Sequence, residues 1–380
     1  MPPLTLYIHV PWCVRKCPYC DFNSHQSPEV LPEADYLKAL AADLEQALPL
    51  IWGRQIHAIF IGGGTPSLLS AQTIDSILSM VRAYLPLWPD AEITLEANPG
   101  AVEAQRFKQY AQSGINRISL GIQSFNDEHL KALGRVHDSK QAKAAIDVAQ
   151  SAVSRVNLDL MYALPGQTLA QCQADLLQAI AFGTEHLSLY QLTLEPNTVF
   201  AKYPPRLPDD DDSADMEDTI LILTEEAGFD RYEVSAYAKG KARSQHNMNY
   251  WTFGDYLGIG PGAHSKISNP DRITRLACLR SPDQWISSAT KRDGSHWSQR
   301  ALLNAQDLPF EFMLNALRLK EGVATTLYEE RTGQALTTLL PGMVKAREQG
   351  LLDPSSHQLV ATPLGWRFLN TLQSLFLAPK

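Results

Sequence analysis

Three cysteines lie within eight residues near the N-terminus, Cys13, Cys17 and Cys20, in the run PWCVRKCPYCDF. Spacings of three and two intervening residues let one short loop turn three thiolates toward a single centre, and thiolates are the ligands of iron–sulfur clusters. Because a four-iron, four-sulfur ([4Fe–4S]) cluster has four irons, three protein ligands leave one iron open to another molecule. This spacing favours an iron–sulfur cluster with a free coordination position.

Other interpretations of the three cysteines stay open at this point. Ferredoxin patterns supply a fourth cysteine, and none lies nearby. Zinc would need a further N or S ligand, which His9 or His25 could provide. A disulfide would leave one thiol over, and it suits a secreted chain better than this one, which begins with no signal segment. The isolated Cys172 and Cys278 are expected to be small buried side chains.

Length and composition indicate an ordinary globular protein. The 380 residues are enough for about two domains, with 44% hydrophobic and 19% charged residues. A net charge of −8 gives no general attraction to nucleic acid or to an anionic membrane. No apolar run approaches the roughly 20 residues that cross a bilayer. We expect a cytoplasmic protein with no nucleic-acid partner and no membrane span.

The first half of the chain alternates between strand-like and helix-like segments. Amphipathic segments at 34–48, 73–85, 102–114 and 140–152 separate apolar, β-branched runs. The predicted strands are 4–9, 56–61, 92–96, 117–121, 155–160 and 186–191. Six strand–helix units in series predict an α/β fold with a parallel sheet, closed as a partial (β/α)6 barrel because a full barrel needs two more units.

Polar and glycine residues cluster where the predicted strands end. The cysteines follow the first strand, and a run of three glycines, Gly62 to Gly64, follows the second. Glu96, Gln123 and Asp159 also lie at or near strand ends, and Arg135 follows in LGRVH. Since barrel enzymes place their working residues at the carboxyl ends of the strands, we expect these side chains to surround one mouth.

The second half has a different pattern. A Pro/Asp stretch at 203–212 ends the alternation, and its four aspartates are expected to cap a helix beginning near Ser213. Helical segments and a short hairpin-like stretch follow residue 301. Their order predicts a small, mostly helical, winged-helix-like C-terminal domain. The predicted division is a core at 1–235, a connecting segment at 236–300 and a C-terminal domain at 301–380.

With these motifs in place, the sequence resembles the radical S-adenosylmethionine (SAM) superfamily. The resemblance rests on CxxxCxxC with an aromatic residue before the last cysteine and on GGGTP, and it covers about the first 235 residues. It implies that Cys13, Cys17 and Cys20 hold a [4Fe–4S] cluster whose open iron binds the amino and carboxylate groups of SAM. One-electron reduction then yields a 5′-deoxyadenosyl radical, which requires an electron donor.

Within the superfamily, the chain resembles the coproporphyrinogen dehydrogenase group over nearly its full length. YIHVPW, FIGGGTPS, LEANPG, GIQSF and NLDLMYALPGQT carry this likeness. Motif by motif, the resemblance implies the following SAM contacts: Tyr7, Tyr19, Gly63, Gly64, Thr65, Glu96, Gln123, Arg135 and Asp159.

Two features separate the chain from the dehydrogenases. They carry a further cysteine two residues after the third, where this chain has Phe22. The run HNMNYW at 246–251 matches the HNxxYW element of the related haem chaperones. That resemblance implies a haem site in which His246 binds the iron, Asn247 orients the imidazole, and Tyr250 and Trp251 contact the porphyrin.

These features predict a haem chaperone that holds a cluster, SAM and haem. The expected partners are haem, an electron donor and acceptor haemoproteins such as membrane-bound respiratory enzymes, and a homodimer is compatible with the sequence. The alternative is an oxygen-independent coproporphyrinogen III dehydrogenase, and a third hypothesis is a radical SAM enzyme with another substrate. We expect a haem carrier because Phe22 and HNMNYW both depart from the dehydrogenase pattern.

Overall fold

The predicted strands form the centre of one large sheet in the computed structural model, which describes residues 1–100 and 104–378. The start of the predicted helical segment 102–114 and the last two residues of the predicted C-terminal domain lie outside these ranges. The strands are β1 (Leu4–Val10), β2 (Trp12–Cys13), β3 (His25–Gln26), β4 (Ile56–Gly63), β5 (Leu87–Ala97), β6 (Arg117–Gln123), β7 (Arg155–Tyr162), β8 (His186–Gln191), β9 (Asp230–Glu233), β10 (Ala236–Ala238), β11 (Asp255–Ile259), β12 (His264–Asn269), β13 (Arg272–Cys278), β14 (Trp297–Leu302), β15 (Val323–Ala324) and β16 (Gln358–Leu359).

Helices alternate with the strands through the first half and dominate the C-terminal end. The α-helices are Glu33–Ile51, Ala71–Tyr84, Phe107–Ser113, Asp127–Ala132, Ser139–Ala152, Leu169–Ala181, Val199–Lys202, Asp210–Glu226, Gln245–Trp251, Pro282–Ala289, Leu308–Ala316, Thr326–Thr332, Leu340–Glu348, Pro363–Arg367 and Leu369–Ser374. Asp209 caps the helix that follows it, because its side chain accepts a hydrogen bond from the Asp212 N–H. The aspartate run therefore has the capping role that the sequence predicted, in a helix that begins three residues earlier.

The main sheet has twelve strands in the order β14-β13-β12-β11-β1-β4-β5-β6-β7-β8-β10-β9. From β11 to β8 each strand runs parallel to its neighbour, which confirms the six predicted parallel strands. The parallel strand β11 was not predicted. It belongs to the stretch 236–300, which the sequence predicted only as a connecting segment. In the structure this stretch contains β10 to β13 and most of β14, and these strands extend the sheet.

Alternation along the parallel strands separates an apolar outside from a polar inside. On β1, Leu6, Ile8 and Val10 are fully buried in the main hydrophobic core with the surrounding helices. Tyr7 and His9 point the other way, because successive side chains of a strand face opposite sides. We call the space enclosed by the parallel strands the chamber, and the end where β1 and β4 meet the cysteine loop the mouth.

The opposite end of the chamber is covered by the helix Gln245–Trp251, which we call the floor helix. The Gln245 N–H donates to the carboxylate of Glu92, at 2.9 Å from its Oε1 atom. Asn249 Nδ2 donates to Thr5 Oγ1 (3.2 Å) and to the carbonyl of Asp255 (2.7 Å). These bonds fix the helix near the starts of β1, β5 and β11, so the HNMNYW run closes the barrel from below.

The C-terminal residues have a hydrophobic core of their own. It contains Phe312, Tyr328 and Leu339, each fully buried. β15 pairs with β16, and an antiparallel bridge joins Leu352 to Ala361. The result is an α/β protein with a partial barrel and a smaller, mainly helical C-terminal unit carrying a short β-element, as the sequence predicted.

Candidate functional site

The cysteine loop is closed at its base by a pair of short strands at the mouth. β2 and β3 pair in parallel, with Trp12 opposite His25 and Cys13 opposite Gln26. The three cysteines are free and partly exposed, so their thiols are accessible from the mouth. The loop thus presents all three predicted ligands on one side of the barrel.

The surroundings of the thiols affect how readily they ionise. Burial raises the pKa of the Cys13 and Cys20 thiols, and a positive charge beside them would favour their thiolate forms. The Arg135 guanidinium approaches Cys17, with 3.7 Å between Nη1 and Sγ. Within residues 1–100 and 104–378, no group of three or more His, Cys, Asp or Glu is placed to hold a single metal ion. Three cysteine thiols on one short loop are the type of ligand that iron–sulfur clusters use.

The glycine turn after β4 is packed directly against the cysteine loop. Gly64 N donates to the Val10 carbonyl, and a Cβ atom at Gly64 would lie 2.6 Å from the Trp12 carbonyl oxygen. Gly63 has φ +113, and a Cβ there would lie 2.5 Å from the imidazole of His9. A side chain does not fit at either position. Glycine is therefore required at both, because the turn packs closely against His9 and the cysteine loop.

His9 links the glycine turn to the chamber wall. Its Nε2 lies 2.9 Å from the Asn23 carbonyl, and its Nδ1 lies 2.9 Å from the Tyr7 hydroxyl. Burial lowers the His9 pKa to about 4, so the ring is neutral; Nε2–H donates to the carbonyl and the Tyr7 hydroxyl donates to Nδ1. With both nitrogens bonded, His9 is a structural residue beside the loop and Tyr7 is fixed within the chamber.

Glu96 and Arg135 lie at the mouth, and Asn98 connects Arg135 to Thr65. Glu96 Oε2 accepts a hydrogen bond from Gly63 N at 3.0 Å. Burial, with a further contribution from Asp159, raises the pKa of Glu96 to about 7. Arg135 Nη2 donates to Asn98 Oδ1 (2.6 Å), and Asn98 Nδ2 donates to Thr65 Oγ1 (3.1 Å).

The remaining predicted SAM contacts line the same space. Asp159 accepts hydrogen bonds from Ser119 (3.0 Å) and from Asn157 (2.7 Å), and its pKa is raised by burial. Gln123 ends β6 with φ +67. Tyr19 packs on Phe200, with 6.4 Å between ring centroids. The structure places the glycine turn, Glu96 and Arg135 at the mouth, and Tyr7 and Asp159 within the chamber. That these residues contact SAM stays a prediction.

His246 faces the chamber from the floor helix and is 2% exposed. Its imidazole stacks on Phe60 with 4.9 Å between ring centroids and meets Tyr250 edge-on at 4.7 Å, while Tyr7 is 6.3 Å away. Burial lowers its pKa to about 3, with a smaller effect from the positive Arg117, so the ring is neutral. Its buried Nδ1 has no hydrogen-bond partner among the described residues.

The other two motif residues lie apart from the imidazole. Asn247 is partly exposed and makes no hydrogen bond to His246 Nδ1. Trp251 packs beneath the guanidinium of Arg318, 4.3 Å from its ring centroid, and thereby contacts the C-terminal unit. The structure groups His246 with Tyr250, while Trp251 contacts Tyr250 at 6.3 Å between ring centroids rather than the imidazole.

Comparison with known proteins identifies the family of this chain. Residues 7–178 match the radical SAM superfamily, and residues 303–368 match the HemN C-terminal domain. The chain is 48% identical to the heme chaperone HemW of Escherichia coli (strain K12), over 100% of this chain and 99% of that protein. The chain belongs to the HemW family. The heme chaperone HemW of Haemophilus influenzae is 46% identical, with 99% of this chain and 98% of that protein covered.

A solved structure extends the likeness to the fold. Coproporphyrinogen III oxidase (HemN) from Escherichia coli, a radical SAM enzyme, has a TM-score of 0.83 at 21% identity, over 99% of this chain and 90% of that one. Membership of the HemW family implies a [4Fe–4S] cluster, SAM and haem as the groups this fold handles. No helix among the described residues is long and apolar enough to cross a membrane.

Several residues that build the site were missed by the sequence analysis. Asn98 joins Arg135 to Thr65, and its place in LEANPG, two residues after Glu96, was the available signal. Asn157 and His186 lie inside β7 and β8, on the faces that point into the chamber. A polar residue in an otherwise apolar strand could have identified them, as it did Asp159.

Proposed function

We propose that this protein is a haem chaperone that holds a SAM-binding [4Fe–4S] cluster at the mouth and transfers haem to acceptor haemoproteins. The observation that carries the proposal is the 48% identity, over the whole chain, to a relative named a heme chaperone. The three-cysteine loop and the HNMNYW helix of one barrel give that identity a physical basis.

The mouth would hold the cluster and SAM together. Cys13, Cys17 and Cys20 would hold the cluster, which would need an electron donor as a partner. When bound, the cluster and SAM supply one-electron cleavage of the sulfonium. The protein's own residues bind and orient: the glycine turn gives close backbone approach, and Glu96 and Asp159 offer negative charge to a cationic ligand.

Haem would bind through the floor helix. A neutral imidazole with an unbonded nitrogen is a suitable iron ligand, which supports His246, and Tyr250 lies beside it. Because His246 is 2% exposed and faces the chamber, ligation requires the floor helix to shift or haem to enter the chamber. Asn247 and Trp251 would then contact haem only after such a shift.

The acceptors in this proposal are respiratory haemoproteins, and the protein acts in the cytoplasm. A carrier without a spanning helix among its described residues meets membrane-bound acceptors at their cytoplasmic surface. A homodimer is compatible with this role.

Haem titration under anaerobic conditions tests the proposal. In the wild type we expect a Soret band that grows until one haem is bound per chain. In His246→Ala we expect the affinity for haem to fall at least about tenfold, because an axial ligand is lost. Tyr84→Phe, an exposed aromatic position on another helix, is the matched control. Anaerobic conversion of coproporphyrinogen III to protoporphyrinogen, with no stable haem complex, would instead establish the dehydrogenase.

A further inference from the structure

A continuous chain of buried hydrogen bonds joins Asp159 in the chamber to the start of the floor helix. Asn157 Nδ2 donates to Asp159 Oδ1 at 2.7 Å, and Asn157 Oδ1 lies 2.6 Å from His186 Nδ1. His186 Nε2 lies 2.9 Å from the Tyr232 hydroxyl, which accepts from the Ser244 N–H at 3.3 Å. The chain therefore runs from a predicted SAM contact to the residue that precedes the HNMNYW helix.

The direction of every bond in this chain is fixed by chemistry. Burial lowers the His186 pKa well below its ordinary value, so the ring is neutral and has one N–H. Because Asn157 Oδ1 can only accept, His186 Nδ1 carries that hydrogen and Nε2 accepts from the Tyr232 hydroxyl. Each donor consequently points toward Asp159, and bonds aligned in this way polarise one another.

The chain is shielded from water along its length. Asn157 is 1% exposed, His186 3%, Tyr232 1% and Ser244 0%. Asn157 is held in this chain by two further bonds, from its Nδ2 to Ser119 Oγ (2.7 Å) and from Ser188 Oγ to its Oδ1 (3.1 Å). Removing the Tyr232 hydroxyl would leave the buried His186 Nε2 and Ser244 N–H without these bonds, which is costly. Ser244, at the end of the hydrogen-bond chain away from Asp159, also caps the floor helix, because its hydroxyl accepts a hydrogen bond from the Asn247 N–H.

We propose that, through this hydrogen-bond chain, SAM binding at the mouth weakens haem binding at the floor helix. Asn157, His186 and Tyr232 act as positioning residues. The inference rests on the proposed function. A cationic SAM near Asp159 favours the ionised carboxylate, and hydrogen bonds to a charged acceptor are stronger than those to a neutral one. The stronger chain holds the floor helix in place and keeps His246 inside the chamber, away from haem iron.

Linkage makes the effect reciprocal. If SAM lowers the affinity for haem by some factor, haem lowers the affinity for SAM by the same factor. Loss or cleavage of SAM would then release the hold on the floor helix. The chain would thereby order the two binding events without any contact between the two ligands.

The test compares haem titrations with and without saturating SAM, anaerobically and without reductant so that SAM stays intact. In the wild type we expect SAM to lower haem affinity about fivefold or more. In Tyr232→Phe, which removes only the hydroxyl, SAM should change haem affinity less than about twofold. Tyr237→Phe is the matched control, because Tyr237 is buried in the adjacent strand β10 and has no place in the chain.

The outcomes separate the two proposals. A wild type that binds both ligands with no SAM effect, or a Tyr232→Phe protein that keeps the full effect, would overturn the inference alone. A wild type that binds no haem, or no SAM, would defeat the proposed function itself. Should Tyr232→Phe fail to fold, His186→Gln breaks the same chain from another residue and is expected to lose the SAM effect equally.

Discussion

At the scale of single residues, burial sets the charge states in the chamber. The pKa of Glu96 is raised to about 7 and that of Asp159 is raised as well, whereas His9, His186 and His246 are held neutral. In a chamber with these side chains, a cationic ligand meets carboxyl groups that ionise more readily once it binds.

Glu96 therefore gives SAM binding a defined pH dependence. Below pH 7 the carboxyl is protonated in the free protein, so binding a cation requires release of a proton and SAM affinity should fall, up to about tenfold per pH unit. Above pH 7 the affinity should level off. Isothermal titration calorimetry of SAM binding at about pH 6 and at about pH 8 measures this dependence.

Glu96→Gln is the companion variant for this measurement. It keeps the size of the side chain but cannot ionise, so SAM affinity should be lower above pH 7 and nearly flat across the same range. A variant with the wild-type pH profile would show that another group carries the dependence.

Among the residues, sequence reasoning located the positions at the ends of the strands, while the chemistry assigned to them stays a prediction. The cysteines, the glycine turn, Glu96 and Arg135 all reach the mouth as predicted, because residues at the carboxyl ends of parallel strands share one end of a barrel. Asn98 and His186 escaped detection because their partners are distant in sequence: His186 bonds to Asn157, 29 residues away.

At the scale of elements, the floor helix depends on one buried carboxylate. Glu92 accepts from the Gln245 N–H and forms an ion pair with Arg155 at 2.5 Å, while Arg117 lies 4.0 Å away. Glu92 is 1% exposed, so the pairs are screened little by solvent. The helix is thus attached to the barrel wall through a buried charge.

Glu92→Gln should destabilise the protein strongly. The variant leaves the buried Arg117 and the partly buried Arg155 without their counter-charge, and we expect a loss of about 3 kcal/mol in the free energy of unfolding. Urea denaturation followed by circular dichroism measures it. The control is Glu321→Gln, which breaks the partly exposed pair with Arg243 and should cost less than about 1 kcal/mol. Equal losses in both variants would contradict the role given to Glu92.

The elements were predictable to the extent that their patterns are local. Apolar alternation located the six parallel strands, and the aspartate run located a helix start. The parallel strand β11 was missed because its partner β1 lies some 250 residues earlier in the sequence. Ser244 is a local signal for the start of the HNMNYW helix, but the position of this helix beneath the chamber depends on partners distant in sequence, such as Glu92.

At the scale of the whole molecule, the two predicted chemistries occupy opposite ends of one barrel. The cysteine loop lies at the mouth, the floor helix lies below, and Tyr7 and the buried hydrogen-bond chain lie between them. The C-terminal unit reaches the floor helix through Arg318 and Trp251. This arrangement predicts two separate binding sites on one chain.

The most direct test of this two-site account is haem titration of anaerobically reconstituted Cys17→Ser beside the wild type. We predict that the variant loses the brown iron–sulfur absorbance, because one of three cluster ligands is gone, yet binds haem within about threefold of the wild-type affinity. Collapse of haem binding together with the cluster, in a variant that remains folded, would contradict the account.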